Sequence, residues 1–233
     1  MDVCVLTKPF LPHYQVVALE NIASLNDVRL RRVVVDSSVT SDDLPAAGAE
    51  VINEGSRISV GDLKLFITTL REKQLRAILY ADEKAGMLFF GERSRLDWLQ
   101  TTPVEDVDCL TEADIEYCEP NRDGAWMTLP NQVVERVAVS CNVCVRFGFG
   151  LIEGGILDAT EFGVISAHGS DIRKYRGLGP IMTLLQDDEE ACLTIQQLSE
   201  EIDGGNVVIM SCEDLPANPT LDDVRGELYE IQT

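Results

Sequence analysis

Seven short apolar runs, separated by stretches of helical spacing, constrain this chain more than any other feature. They are VCVLT at 3–7, VRLRRVVVD at 28–36, RAILYAD at 76–82, NVCVRF at 142–147, GVISAH at 163–168, ACLTIQQL at 191–198 and NVVIMSC at 206–212. Each is of strand length and largely apolar, as buried strands are. Between the first two lies HYQVVALENIASL, where Val16, Val17, Leu19, Ile22 and Leu25 recur at helical spacing. Helical patterns also fill 41–74, clearest in DLKLFITTLREK. They return in LIEGGIL, in GLGPIMTLLQD (Ile181, Leu184, Leu185) and in TLDDVRGELYEI. Strands alternating with helices predict an α/β, Rossmann-like, mostly parallel doubly wound sheet of about seven strands. Such sheets bind ligands beyond the carboxyl ends of their strands, where His168 falls.

The 233 residues, 45% hydrophobic, suffice for one such domain. Residues 84–138 are less regular. They hold Trp98 and Trp126, a capping-box-like TEADIEYC with Thr111 and Asp114, and the turn EPNRDG. They read as an insertion before the fourth strand, packed on a single domain of 1–233. No run approaches the roughly 18 apolar residues of a membrane span, and MDVCVLTK lacks the basic, then apolar pattern of a leader. The expectation is a soluble cytoplasmic protein without a membrane partner.

Charge narrows the partners. Forty Asp and Glu oppose 19 Lys and Arg, a formal net of −21, with lysine only at Lys8, Lys64, Lys73, Lys84 and Lys174. Such a surface repels polyanions, making nucleic acid an unfavoured partner. It suits concentrated salt, and the chain reads as halophilic. Of the seven cysteines, four lie in apolar runs, and the odd count argues against a disulfide framework. CNVC (141–144) has zinc or redox spacing but no second pair or nearby histidine, so buried strand thiols are the better reading and no metal is expected.

Two constellations point to chemistry. His168 stands at a strand's carboxyl end, and Asp203 lies in IDGG, 35 residues on, beside glycines that let a ligand approach. A histidine and a carboxylate meeting there form an acid–base pair. The second is GFGLIEGG (148–155), which follows a strand. Its glycine spacing is a weak match to a dinucleotide fingerprint. It belongs to a late strand, and the next strand ends in histidine rather than a ribose-binding acid. A close backbone approach, in packing or to a flat ligand, explains it better. The chain has no nucleophile elbow and no phosphate loop of the GxxxxGK type.

Read together, residues 143–208 resemble the folate-dependent formyltransferases. That family carries Asn-x-His at a strand end, then Arg-Gly, then Leu-Asp-x-Gly. The counterparts here are Ser166-Ala-His168-Gly-Ser170, Tyr175-Arg176-Gly177, Gly179-Pro180, Thr194 and Ile202-Asp203-Gly-Gly205. The resemblance implies 10-formyltetrahydrofolate as donor and a primary amine of a small molecule as acceptor. It implies His168, Asp203 and Ser166 as the catalytic group. Phe147, Gly148, Phe149, Gly150 and Leu151, with Glu200, Glu201 and Ile202, would meet the pterin. Ser170, Tyr175, Arg176 and Gly177 would line the acceptor side.

This sequence departs from the pattern in three ways. Ser166 stands where the family has asparagine, and a hydroxyl cannot span the reach of an amide. Asp171-Ile172-Arg173 replaces Leu-Leu-Pro. The chain also ends soon after the last strand, leading to the expectation that the tRNA-gripping C-terminal domain of the tRNA formyltransferases is missing. The rival readings are a hydrolase that releases formate from the same donor, and a folate- or nucleotide-binding module with weakened catalysis. The acceptor's identity and the oligomeric state are not legible at this level.

Overall fold

The computed structural model describes residues 1–39, 98–123, 126–176 and 179–233. The helix expected within 41–74, the strand expected at 76–82 and Gly177 therefore lie outside the described residues. The chain opens with β1 (Asp2–Thr7), β2 (Phe10–Pro12), α1 (His13–Ala23) and β3 (Arg29–Asp36). After the undescribed stretch come β4 (Thr101–Pro103), β5 (Asp114–Cys118), β6 (Asn121–Asp123), β7 (Trp126–Thr128) and α2 (Asn131–Ser140). Next are β8 (Val143–Arg146), β9 (Leu151–Glu153), β10 (Val164–His168) and α3 (Pro180–Leu185). The chain closes with β11 (Glu190–Gln197), β12 (Asn206–Asp214) and α4 (Leu221–Gln232).

The main sheet has seven strands in the order β12-β11-β10-β8-β1-β3-β5. From β10 through β5 all neighbours are parallel, and β11 and β12 add antiparallel partners on the other side. This is the expected mostly parallel, seven-stranded α/β sheet. Its two faces separate cleanly. On one, Val3, Val5, Val33, Val35 and Val143 pack with Leu19 of α1, and Leu193 packs with Val224 and Leu228 of α4. Tyr14 and Tyr229 stack at 4.4 Å and tie those two helices together. On the other, Cys4, Leu6, Val34, Cys144 and Val164 pack with Val133 and Val137 of α2. Strands with both faces covered need apolar residues at nearly every position, hence the continuous runs in the sequence.

In the described part of 84–138, β5 is the edge strand of the main sheet and α2 covers one face. Two expectations change. TEADIEYC does not open a helix. Thr111 Oγ donates to the Asp108 carbonyl, and DIEYC extends beside β3, where Arg32 pairs with Asp114 (3.7 Å) and Glu116 (3.2 Å). Period-two packing outweighs the cap signal. LIEGGIL is also not helical: β9 pairs with β7, and a 3-10 turn begins at Gly154, whose φ of 75° no helix accepts.

The cysteines divide. Cys192 and Cys212 face each other on β11 and β12, Cα atoms 4.1 Å apart, and form a disulfide, although the odd cysteine count had argued against a disulfide framework. The pairing depends on strand register, which cysteine spacing does not reveal. Cys4 and Cys144 are buried strand thiols, and Cys141, buried beside them, caps the end of α2 rather than lying in a strand. Their hydrogen bonds raise the Cys4 pKa and bring Cys141 down to about 7. The one metal-like cluster among the described residues, Glu190 with Cys192 and Cys212, contains that disulfide.

Helix α4 starts in a capping box: Thr220 accepts from the Asp223 amide and Asp223 from the Thr220 amide. Thr220→Ala removes half of it and should lower unfolding stability by about 1 kcal/mol, read as a lower urea midpoint at unchanged slope.

Candidate active site

Strand register builds this site. On the face that carries Cys4, Cys144 and Val164, the next row forward reads Leu6, Arg146, Ser166 and Gln196 across four neighbouring strands. His168 and Thr194 form the row after that. Residues paired across strands share a face, and residues two apart along a strand return to it. The apolar core thus turns polar at the carboxyl ends of β8 and β10. Arg146 Nε donates to Ser166 Oγ at 3.1 Å, and its Nη1 donates to the carbonyls of Phe149 (3.3 Å) and Gly150. Burial pulls the guanidinium below its ordinary pKa, and the nearby Asp203 carboxylate opposes that shift.

The loop joining β11 and β12 folds back over this face and brings Asp203 to it. Asp203 Oδ1 lies 3.4 Å from His168 Nδ1 and 3.5 Å from Gln196 Nε2. Its backbone is left-handed (φ 51°), a conformation uncommon outside glycine. The loop closes tightly at Gly205, where a Cβ would sit 2.0 Å from the Gln197 carbonyl oxygen. His168 Nε2 lies 2.8 Å from Ser170 Oγ and 3.2 Å from the Tyr175 carbonyl. A neutral ring can donate from Nδ1 to Asp203 and accept from Ser170 at Nε2. A protonated ring can donate to Asp203 and to Tyr175. Both charge states therefore have partners in place, which an acid–base residue requires. Gln196 Oε1, by contrast, is buried with no partner among the described residues.

The other expected residues fare unevenly. The amides of Phe147 and Gly148 donate to the Leu6 carbonyl, and the Phe147 carbonyl accepts from Gln15. Gly148 lies against the end of β1, where a Cβ would be 2.5 Å from the Lys8 nitrogen. Phe149 is buried in the core, and Leu151 opens β9. The close approach read from these glycines is therefore to the protein's own backbone. On the other loop Glu200, Glu201 and Ile202 are exposed, and Glu201 pairs with Arg176 at 3.0 Å. Ser170 is fully buried beneath His168, and its carbonyl accepts from Thr194 Oγ1 at 2.7 Å. Tyr175 contributes its carbonyl to His168. In the departing segment, Asp171 is held below its usual pKa chiefly by hydrogen bonding from the Arg173 side chain, both at 2.9 Å.

Sequence reasoning missed Arg146 and Gln196. Their signal was a charged and an amide side chain in runs otherwise nearly apolar, NVCVRF and ACLTIQQ.

The chain resembles known proteins over part of its length. It is 28% identical over 100 residues to the methionyl-tRNA formyltransferase of Rickettsia bellii (strain RML369-C), covering 42% of this chain and 33% of that one. The enzyme of the same name from Rickettsia canadensis (strain McKiel) is 23% identical over 134 residues, 57% of this chain and 43% of that one. Over part of its length the chain is thus similar to folate-dependent formyltransferases. It spans less than half the length of the curated relatives it matches. No family model matches it. Among solved structures, glycinamide ribonucleotide transformylase 1 from Symbiobacterium toebii superposes with a TM-score of 0.55 at 13% identity, covering 100% of this chain and 82% of that one. A formyltetrahydrofolate deformylase from Pseudomonas syringae gives 0.55 at 12%, covering 99% and 57%. These likenesses establish the formyltransferase fold.

Because Gly205 sets the path of the Asp203 loop, Gly205→Ala should destabilise the fold by roughly 1–3 kcal/mol. It should also loosen Asp203 from His168. Thermal unfolding checks the first effect, and the His168 side-chain NMR signals check the second.

Proposed function

We propose that this chain transfers the formyl group of 10-formyltetrahydrofolate to a primary amine of a small acceptor. The observation that carries the reading is the 3.4 Å approach of His168 to Asp203 over the polar end of a formyltransferase sheet. In this reading the amine attacks the formyl carbon, and negative charge develops on the formyl oxygen. Protonated His168 and the Ser166 hydroxyl stabilise that charge, which a preorganised polar site does without reorganising. Asp203 holds the His168 ring and carries the amine's proton towards the departing folate nitrogen, directly or through water.

The pterin falls to the 198–203 loop, with exposed Glu200 and Ile202, more than to the glycine loop, whose polar groups are largely engaged within the protein. Ser170, Tyr175 and Arg176 flank the acceptor side. The residues need no metal for this chemistry. No helix among the described residues is long and apolar enough to cross a membrane. The net charge of −21 supports a high-salt setting and disfavours a polyanionic acceptor. Because the curated relatives are named for methionyl-tRNA, that acceptor belongs in the assay beside amino sugars and nucleotide amines.

The test is turnover of 10-formyltetrahydrofolate in molar salt against this panel. Tetrahydrofolate should appear only when the right amine is present, with the amine gaining one formyl group. Formate release without any amine would favour the hydrolase, and folate binding without turnover would favour the binding module. Asp203→Asn should retain the fold and folate binding but lower transfer on the order of 100-fold or more. Turnover near that of the unmodified protein would contradict the assigned proton path.

A further inference from the structure

We propose that Arg146 is a catalytic residue of this site, its guanidinium acting with the Ser166 hydroxyl as the donor to the oxyanion formed on the transferred group. The inference rests on the formyl-transfer reading and deepens it, since that reading assigns the donors to His168 and Ser166 alone.

Register places Arg146 and Ser166 side by side on one face, one residue row from His168. A serine hydroxyl is short for its place. The hydrogen bond from Arg146 Nε at 3.1 Å occupies one of its lone pairs and polarises its O–H, so that the hydroxyl's hydrogen is the more strongly donating. The guanidinium carries five N–H groups. Three are bonded, all to neutral oxygens: Ser166 Oγ and the Phe149 and Gly150 carbonyls. Those two carbonyls fix the plane of the fork, and the nearby Asp203 carboxylate favours the charged guanidinium. A cation brought into a partly desolvated site costs stability. Beside the acid–base pair, it meets the anion that appears during reaction.

The electrons balance simply. The amine lone pair forms the new C–N bond, and the carbonyl pair moves onto oxygen, where Arg146 and Ser166 donate hydrogen bonds while keeping their protons. The pair then returns, the bond from carbon to the folate nitrogen breaks, and that nitrogen takes the proton released by the amine.

The experiment combines Arg146→Gln, Arg146→Lys and Ser166→Asn, singly and with Arg146→Gln/Ser166→Asn. Turnover is measured beside binding of 5-formyltetrahydrofolate, which reports an intact site. Arg146→Gln should lower kcat on the order of 100-fold, the effect of losing one oxyanion donor, with that binding changed less than about threefold. Arg146→Lys should lose less, because the charge remains. Ser166→Asn should lower turnover while Arg146 fills the space beside it, yet raise it at least about tenfold in the Arg146→Gln background, where the amide can reach the oxyanion. A sign reversal of this kind is coupling between neighbours, which a loop brace would not produce. Arg146→Gln turnover within threefold of the unmodified protein, while His168→Ala is inactive, overturns this inference alone. So does a double variant no better than Arg146→Gln. A protein that never turns the donor over, with any amine, overturns both this inference and the reading beneath it.

Discussion

Main-chain pairing of β10, with β8 on one side and β11 on the other, decides which side chains meet in this protein. It sets Arg146, Ser166 and Gln196 shoulder to shoulder, with His168 in the adjoining row. A register slip of one residue would turn each of these groups to the opposite face, into apolar packing against α1 and α4. The polar site and the apolar core are thus one pattern. Each strand contributes alternate residues to one face, and that face changes character where the parallel strands end.

The remaining member arrives from outside the row. Asp203 is carried by a loop that Gly205 allows to pass close to the Gln197 carbonyl. There it accepts contacts from His168 and Gln196 and favours the charged form of Arg146. Beneath the ring, Ser170 and the Tyr175 carbonyl hold the other nitrogen, and Thr194 ties Ser170 to β11. His168 is therefore restrained at both nitrogens, and a restrained ring is the precondition for directional proton transfer. The unpartnered Gln196 Oε1 is a polar atom that a bound ligand or water can satisfy.

The central strands were legible because strands covered on both faces must be apolar on both, whereas the edge strand β12 shows an apolar run although Val207, Val208 and Ile209 are exposed. β1, β3, β8, β10, β11 and β12 appear where the apolar runs stand. Less legible were features that depend on distant pairing. DIEYC looked like a capped helix because its partner, Arg32, lies 84 residues away from Glu116. The Cys192–Cys212 bond follows from register, not spacing. At the site, His168 and Asp203 were found through strand-end position and glycine context. Arg146 and Gln196 were not, because a single polar residue in an apolar run reads equally as a strand edge. Of the glycines in 148–155, Gly148 packs closely against the backbone of Thr7 and Lys8.

The proposed transfer requires folate to bind over the His168 face. The chain has only two histidines, His13 and His168, so the imidazole signals in an NMR spectrum can be assigned from one substitution. Titration with 5-formyltetrahydrofolate should move the His168 ring signals saturably while leaving those of His13 in place. Saturable folate binding that leaves His168 unmoved would contradict the account.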